Sequence, residues 1–131
     1  MGQELTFVMD KTKIVLDTNA AIFLLKSETM RETFSNAEFF MSIITRVELL
    51  SKPDITPEEE QDIRDFLASA TTVDINDSIE STTIALRRAT RIKLPDCFIA
   101  ATAIALNATL FTHDENLLRL SWPSYTVQDI F

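Results

Sequence analysis

Glycine is almost missing: Gly2 is the only one in 131 residues. Glycine-rich phosphate cradles need several glycines at fixed spacing, so both the dinucleotide fingerprint and the P-loop are excluded. Cysteine is equally scarce. A single residue, Cys97, leaves no internal disulfide framework and no cysteine zinc site. No apolar run reaches the roughly 18 residues that span a bilayer. The start carries no apolar core with a small-residue cleavage site, so no secretory leader is expected and the cytoplasm is the expected compartment. Net positive charge is absent too. Against 20 acids stand 12 bases, a balance of −8, and a chain so charged does not hold nucleic acid by bulk charge.

What is present describes one folded domain over residues 1–131. Hydrophobic residues make up 46% of the chain, enough for a packed core. Residues 1–12 read as a lead-in, either an ordinary start or one with residues 1–8 as extra residues ahead of Met9. The start Met1-Gly2-Gln3-Glu4-Leu5-Thr6 formally fits an acylation pattern, but an ordinary start explains it as well. Charge is unevenly placed. Asp54, Glu58, Glu59, Glu60, Asp62 and Asp65 crowd one stretch with Arg64 as its only base. Arg87, Arg88, Arg91 and Lys93 crowd another that holds no acid between Ser81 and Pro95. Both blocks suit solvated helix surface.

Strands alternate with helices along the chain. Ile14–Leu16, Phe39–Ile43, Thr71–Ile75, Ala108–Thr112 and Tyr125–Gln128 read as strands. Ala20–Lys26 reads as a helix capped by Thr18 or Asn19, and Ile44–Ser51 as a second. Thr56-Pro57-Glu58-Glu59 is a capping box ahead of Ile63, Phe66, Leu67 and Ala70 at helical spacing. Asp77-Ser78-Ile79-Glu80 reads as another box, starting a helix to about Thr90. Pro95 opens a helix apolar on nearly every side, hence buried, and Asn107 ends it in the left-handed cap position. Asp114–Leu120 is a short helix. This alternation predicts an α/β fold with a mainly parallel five-stranded sheet between helical layers, in the order 3-2-1-4-5.

In such a sheet the site lies beyond the carboxyl ends of the strands, where strand order reverses. Asp17 follows strand one directly, and Asp114 follows strand four. Glu48 lies about one turn into the helix after strand two. Asp96 lies in the first turn of the buried helix before strand four. Each also has a plainer explanation. Asp17 and Asp114 suit N-caps, Glu48 suits the glutamate of a capping box begun by Thr45, and Asp96 suits the helix dipole. None of these explains why all four fall at one end of the sheet. Clustered carboxylates repel one another and drift toward protonation unless a cation joins them. Oxygen ligands without cysteine suit Mg²⁺ or Mn²⁺, one or two ions, rather than zinc. His113 as a catalytic base is the lesser reading, since a lone surface histidine is commonly inert.

Four stretches, "VLDTNAAIFLL", "MSIITRVELLS", "KLPDCFIAATAIALNATLFTHDENL" and "SYTVQDIF", run in the order found in PIN-domain ribonucleases. The chain resembles that family, and most of all the VapC-type toxins of toxin–antitoxin pairs, from Lys13 to Phe131. The resemblance implies a three-layer PIN-like fold and makes Asp17, Glu48, Asp96 and Asp114 the acidic metal ligands. It places Asn19 and Thr112 at supporting polar positions, with Thr18 in the same motif. It further implies an RNA substrate cut to leave a 3′-hydroxyl and a 5′-phosphate, a homodimer, and neutralisation by a small antitoxin that lays a segment across the acidic crevice. An arginine of such a partner suits the carboxylates. Arg87, Arg88, Arg91 and Lys93, running into Asp96, are read as guides for RNA phosphates. The family's usual glycine is replaced here by Asn107. Two other readings compete: a PIN-like module that binds without cutting, and a receiver-like phosphoacceptor domain. The second lacks the lysine expected near strand five.

Overall fold

Five strands and seven helices alternate along residues 12–130, the part of the chain that the computed structural model describes. The acylation pattern and the proposed extra residues 1–8 lie outside the described residues. Strand β1 (Lys13–Leu16) leads into α1 (Thr18–Lys26) and α2 (Glu28–Thr33). Strand β2 (Glu38–Ser42) leads into α3 (Ile43–Leu50) and α4 (Pro57–Ala68). Strand β3 (Thr71–Val73) leads into α5 (Asp77–Ala89) and α6 (Leu94–Leu106). Then come β4 (Thr109–Thr112), the short α7 (Glu115–Arg119) and β5 (Thr126–Asp129). The sheet order is β3-β2-β1-β4-β5, as expected, and every pairing is parallel, the edge strands included.

Side chains alternate across a strand, so each strand feeds two cores. Val15, Phe40 and Leu110 point to the face covered by α5 and α6, where they meet Ile79, Leu86 and Ile99. Ile14, Leu16, Met41 and Phe111 point to the other face, against Ala21, Leu24 and Leu49 and against Ile63 and Leu67 of α4. Burying each of these large side chains contributes about 1.5–3 kcal/mol. Helix α6 buries Cys97, Ile99, Ala100, Ala101, Thr102 and Ala103, as its all-round apolar sequence demands. It stops at Asn107, which takes φ 53° and ψ 42°, the left-handed conformation that asparagine tolerates.

Several local expectations are corrected. Helix α1 is capped by Asp17, whose Oδ1 accepts from the Ala20 N–H at 2.8 Å, and not by Thr18 or Asn19. The chain turns helical immediately after β1, so the cap falls one residue early. Helix α5 is capped by Asn76, which accepts from the Ile79 N–H at 2.9 Å, so no box begins at Asp77. Ser42 ends β2 and caps α3 in one residue, accepting from Ile44 N–H at 3.1 Å. That removes the box proposed between Thr45 and Glu48, both of which lie inside the helix. Strand β3 ends at Val73, two residues before Ile75, and β5 is shifted one residue on, to Thr126–Asp129. Pro95 stands at the second position of α6, behind Leu94. Helix α2 was not anticipated; its signals are the Ser27 cap, Glu28 in its first turn and Arg31 in its last. The box at Thr56 forms as expected, with Glu59 N–H donating to Thr56 Oγ1 at 3.1 Å.

Candidate active site

Chain order reverses between β1 and β4, the two strands that carry Asp17 and Asp114 at their carboxyl ends. Asp17 is the more deeply placed, only 5% exposed. Its backbone N–H donates to Phe111 O at 3.2 Å, which fastens the end of β1 to β4. Its carboxylate accepts from Ala20 N–H through Oδ1 and from the Thr112 hydroxyl through Oδ2. Thr112, fully buried, also accepts from the Asp114 N–H at 3.0 Å. Asp114 caps α7, its Oδ1 accepting from Asn116 N–H at 2.9 Å and from Leu117 N–H at 3.1 Å. The capping explanation is therefore true of both aspartates, and each retains oxygen lone pairs beyond it.

Glu48 reaches the site from α3. Its Oε1 accepts from the Thr18 hydroxyl at 2.7 Å, which ties the start of α1 to α3 across 30 residues. Asp96 stands in the first turn of α6. Burial raises its pKa first, and the charges of Asp114, Asp17 and Glu48 raise it further, with Lys93 opposing. The helix dipole that favours an anion at this position is thus outweighed. Asp17 is raised by the same causes: burial first, then Asp114 and Glu48, with the Thr112 and Ala20 hydrogen bonds opposing. The four predicted acids therefore share one electrostatic field. Among the described residues, however, no three Asp, Glu, His or Cys side chains stand ready to close on one ion. Hydrogen bonds hold Asp17, Glu48 and Asp114 to protein donors instead. In donor chemistry the set fits a hard divalent cation: oxygen only, mutually repelling, and partly buried.

The remaining candidates fall around this centre. Thr18 and Thr112 each hold one of the acids, whereas Asn19 is exposed on the first turn of α1. Arg87 donates to the Ile92 carbonyl at 2.9 Å and so braces the link between α5 and α6. Arg88, Arg91 and Lys93 are exposed. His113 Nδ1 lies 3.0 Å from Asp129 Oδ1, pairing the ends of β4 and β5. Sequence reasoning missed Tyr125, whose hydroxyl donates to Leu117 O at 2.7 Å. It lies in the stretch SYTVQDIF, one residue ahead of β5, but no spacing ties it to the acids. A groove of about 840 Å³ also went unseen; it is floored by Ile22, Leu25, Ile63 and Phe66, and Thr18 and Glu48 line it too. Among the described residues no helix is long and apolar enough to cross a membrane.

Comparison with solved structures finds the same architecture elsewhere. VapBC2 from Rickettsia felis, bound to a DNA fragment from its promoter, matches with a TM-score of 0.78 at 22% identity, covering 90% of this chain and 98% of that one. DNA-bound VapBC from Salmonella typhimurium matches at 0.73 and 23% identity, with the same 90% and 98% coverage. VapBC-1 from nontypeable Haemophilus influenzae matches at 0.72 and 27% identity, again covering 90% and 98%. No curated protein matches the chain significantly. The PIN domain profile matches residues 14–123, a stretch that runs from the first core strand past α7 and takes in all four acids. That match covers most of the chain, and the chain belongs to the PIN domain family.

Proposed function

We propose that this protein is a metal-dependent endoribonuclease, the toxin of a toxin–antitoxin pair, with Asp17, Glu48, Asp96 and Asp114 as ligands of Mg²⁺ or Mn²⁺. One observation carries the reading. Asp17 is a buried carboxylate, raised in pKa and coupled to the three other acids at the switch point of the sheet. That arrangement costs stability unless a cation compensates it. When bound, such an ion activates water and stabilises the leaving oxygen of a phosphodiester.

The chain's own residues supply the rest. Thr112 orients Asp17, and Thr18 orients Glu48. Asn19, on the exposed first turn beside them, is open to substrate. Arg88, Arg91 and Lys93 draw RNA phosphates toward Asp96 and offset the net charge of −8 locally. Arg87 serves the same surface by bracing the link on which Arg91 and Lys93 stand. Two further solved structures of this fold are named as a toxin–antitoxin complex and as a member of the VapBC family of toxin–antitoxin systems, which supports an antitoxin partner here, with a segment lying across the acidic crevice and the apolar groove beside Glu48. A homodimer acting in the cytoplasm completes the proposal.

The test is cleavage of RNA with Mg²⁺ or Mn²⁺, abolished by chelator and by Asp17→Asn. Metal-independent cleavage, or full activity in that variant, defeats the proposal. A second reading, binding without cleavage, draws on the lack of a ready-made three-ligand group among the described residues. Absence of a bound cation between Asp17 and Asp114 at millimolar Mn²⁺ would favour it.

A further inference from the structure

We infer that Tyr125 is a positioning residue for Asp114, acting through the backbone of Leu117. The inference rests on the proposed role of Asp114 as a site carboxylate. Helix α7 has only five residues. A helix that short does not hold itself together in water, and its last carbonyls have no partner within the helix. Beyond the exposed Glu115–Arg119 pair, contacts with flanking residues and the core hold it instead. Asp114 caps its start, the Leu117 side chain is fully buried, and the Tyr125 hydroxyl donates to the Leu117 carbonyl at 2.7 Å.

Leu117 is the shared element. Its N–H donates to Asp114 Oδ1 at 3.1 Å, while its carbonyl accepts from Tyr125. The peptide groups on either side of one Cα thus connect the phenol to the carboxylate. Tyr125 is itself fixed. Its N–H donates to Trp122 O at 3.1 Å, and its ring packs on the core beneath α7. Burial, then the charges of Asp17 and Asp114, push the phenol pKa up, so the hydroxyl remains a donor and lies within the field of the acids. Without that bond the end of α7 is free to fray, and the two amides that aim Asp114 lose their fixed direction.

The test uses the full chain with Tyr125→Phe, which keeps the ring and removes one hydroxyl. Leu86→Val, a core change in α5 that leaves the bond from Tyr125 to Leu117 in place, serves as the control for general destabilisation. Two quantities are read: amide hydrogen exchange at Asn116 and Leu117 in metal-free protein, and Mn²⁺ affinity. Tyr125→Phe is expected to accelerate exchange at those amides and to weaken Mn²⁺ about three- to tenfold, the usual effect of losing one hydrogen bond. Leu86→Val is expected to lower the thermal midpoint while leaving both quantities as in the wild type. Unchanged exchange at Asn116 and Leu117 in Tyr125→Phe overturns the inference, as does an equal change in Leu86→Val. If the wild type itself binds no Mn²⁺ while Tyr125→Phe still accelerates exchange, the metal reading of the site fails and the positioning of Asp114 stands.

Discussion

The Thr112 hydroxyl donates to Asp17 Oδ2 across 95 residues of sequence, and Thr112 Oγ1 accepts from the Asp114 N–H at 3.0 Å. One buried hydroxyl therefore joins the ends of the two strands that flank the switch point. Both aspartates also cap the helices that follow them. Each cap uses the oxygen nearest its own helix, and the threonine fixes the other side of Asp17 relative to Asp114.

Removing that hydroxyl tests the link. Thr112→Val keeps the shape but leaves Asp17 Oδ2 and the Asp114 N–H without their shared partner in a buried place. A loss of about 1–3 kcal/mol in stability is expected. Cleavage is expected to fall about 10- to 100-fold, as when a group supporting a metal ligand is lost. Thr112→Ser should recover most of both. Denaturant melts and RNA cleavage assays check the three proteins; a valine variant with full activity would refute the link.

Asp17→Asn separates activity from stability. Cleavage should drop by at least about 100-fold, since a ligand matters no less than the groups that support it. Metal-free protein at neutral pH should instead become more stable, because asparagine caps α1 as well as aspartate does and carries no buried charge. A thermal midpoint below that of the wild type in chelator would contradict a buried-charge penalty at Asp17.

The pH dependence has a defined sign. For Asp17 and Asp96 the folded-state pKa lies above the ordinary value of 3.8. Between the two values the folded protein binds more protons than the unfolded chain, so stability falls as pH rises. The contribution of these groups is fully favourable below 3.8 and is lost as pH passes through the raised values. In chelator, the stability gap between Asp17→Asn and wild type should therefore widen from about pH 3.5 toward about pH 7. Millimolar Mn²⁺ should close or invert it. Thermal melts across that range give the answer.

The basic surface calls for a salt titration. Arg88→Glu with Arg91→Glu should weaken RNA binding and flatten its salt dependence, by about 0.7 in the logarithmic slope for each single-strand phosphate no longer neutralised. Arg87 is unsuited to this test, because its bond to Ile92 O makes it part of the link between α5 and α6. Binding and slope equal to wild type would remove the segment from the substrate path.

The helical layers and the place of the acids were legible in the chain itself. Hydrophobic periodicity changes from alternation to helical spacing in each unit, and that change dictates a parallel sheet and the two faces fed by Ile14 and Val15. Asp17, Glu48, Asp96 and Asp114 could be read because their positions follow from chain order in such a sheet. How each acid is held depends on packing. Whether Thr18 caps its own helix or reaches Glu48, and whether Glu48 serves Thr45 or the crevice, turns on which donor the fold brings within hydrogen-bond reach; both hydroxyls have local alternatives of similar energy. Tyr125 shows the same limit most clearly. No local spacing links it to Asp114, and its role depends on β5 returning beside a five-residue helix whose last carbonyls need a donor.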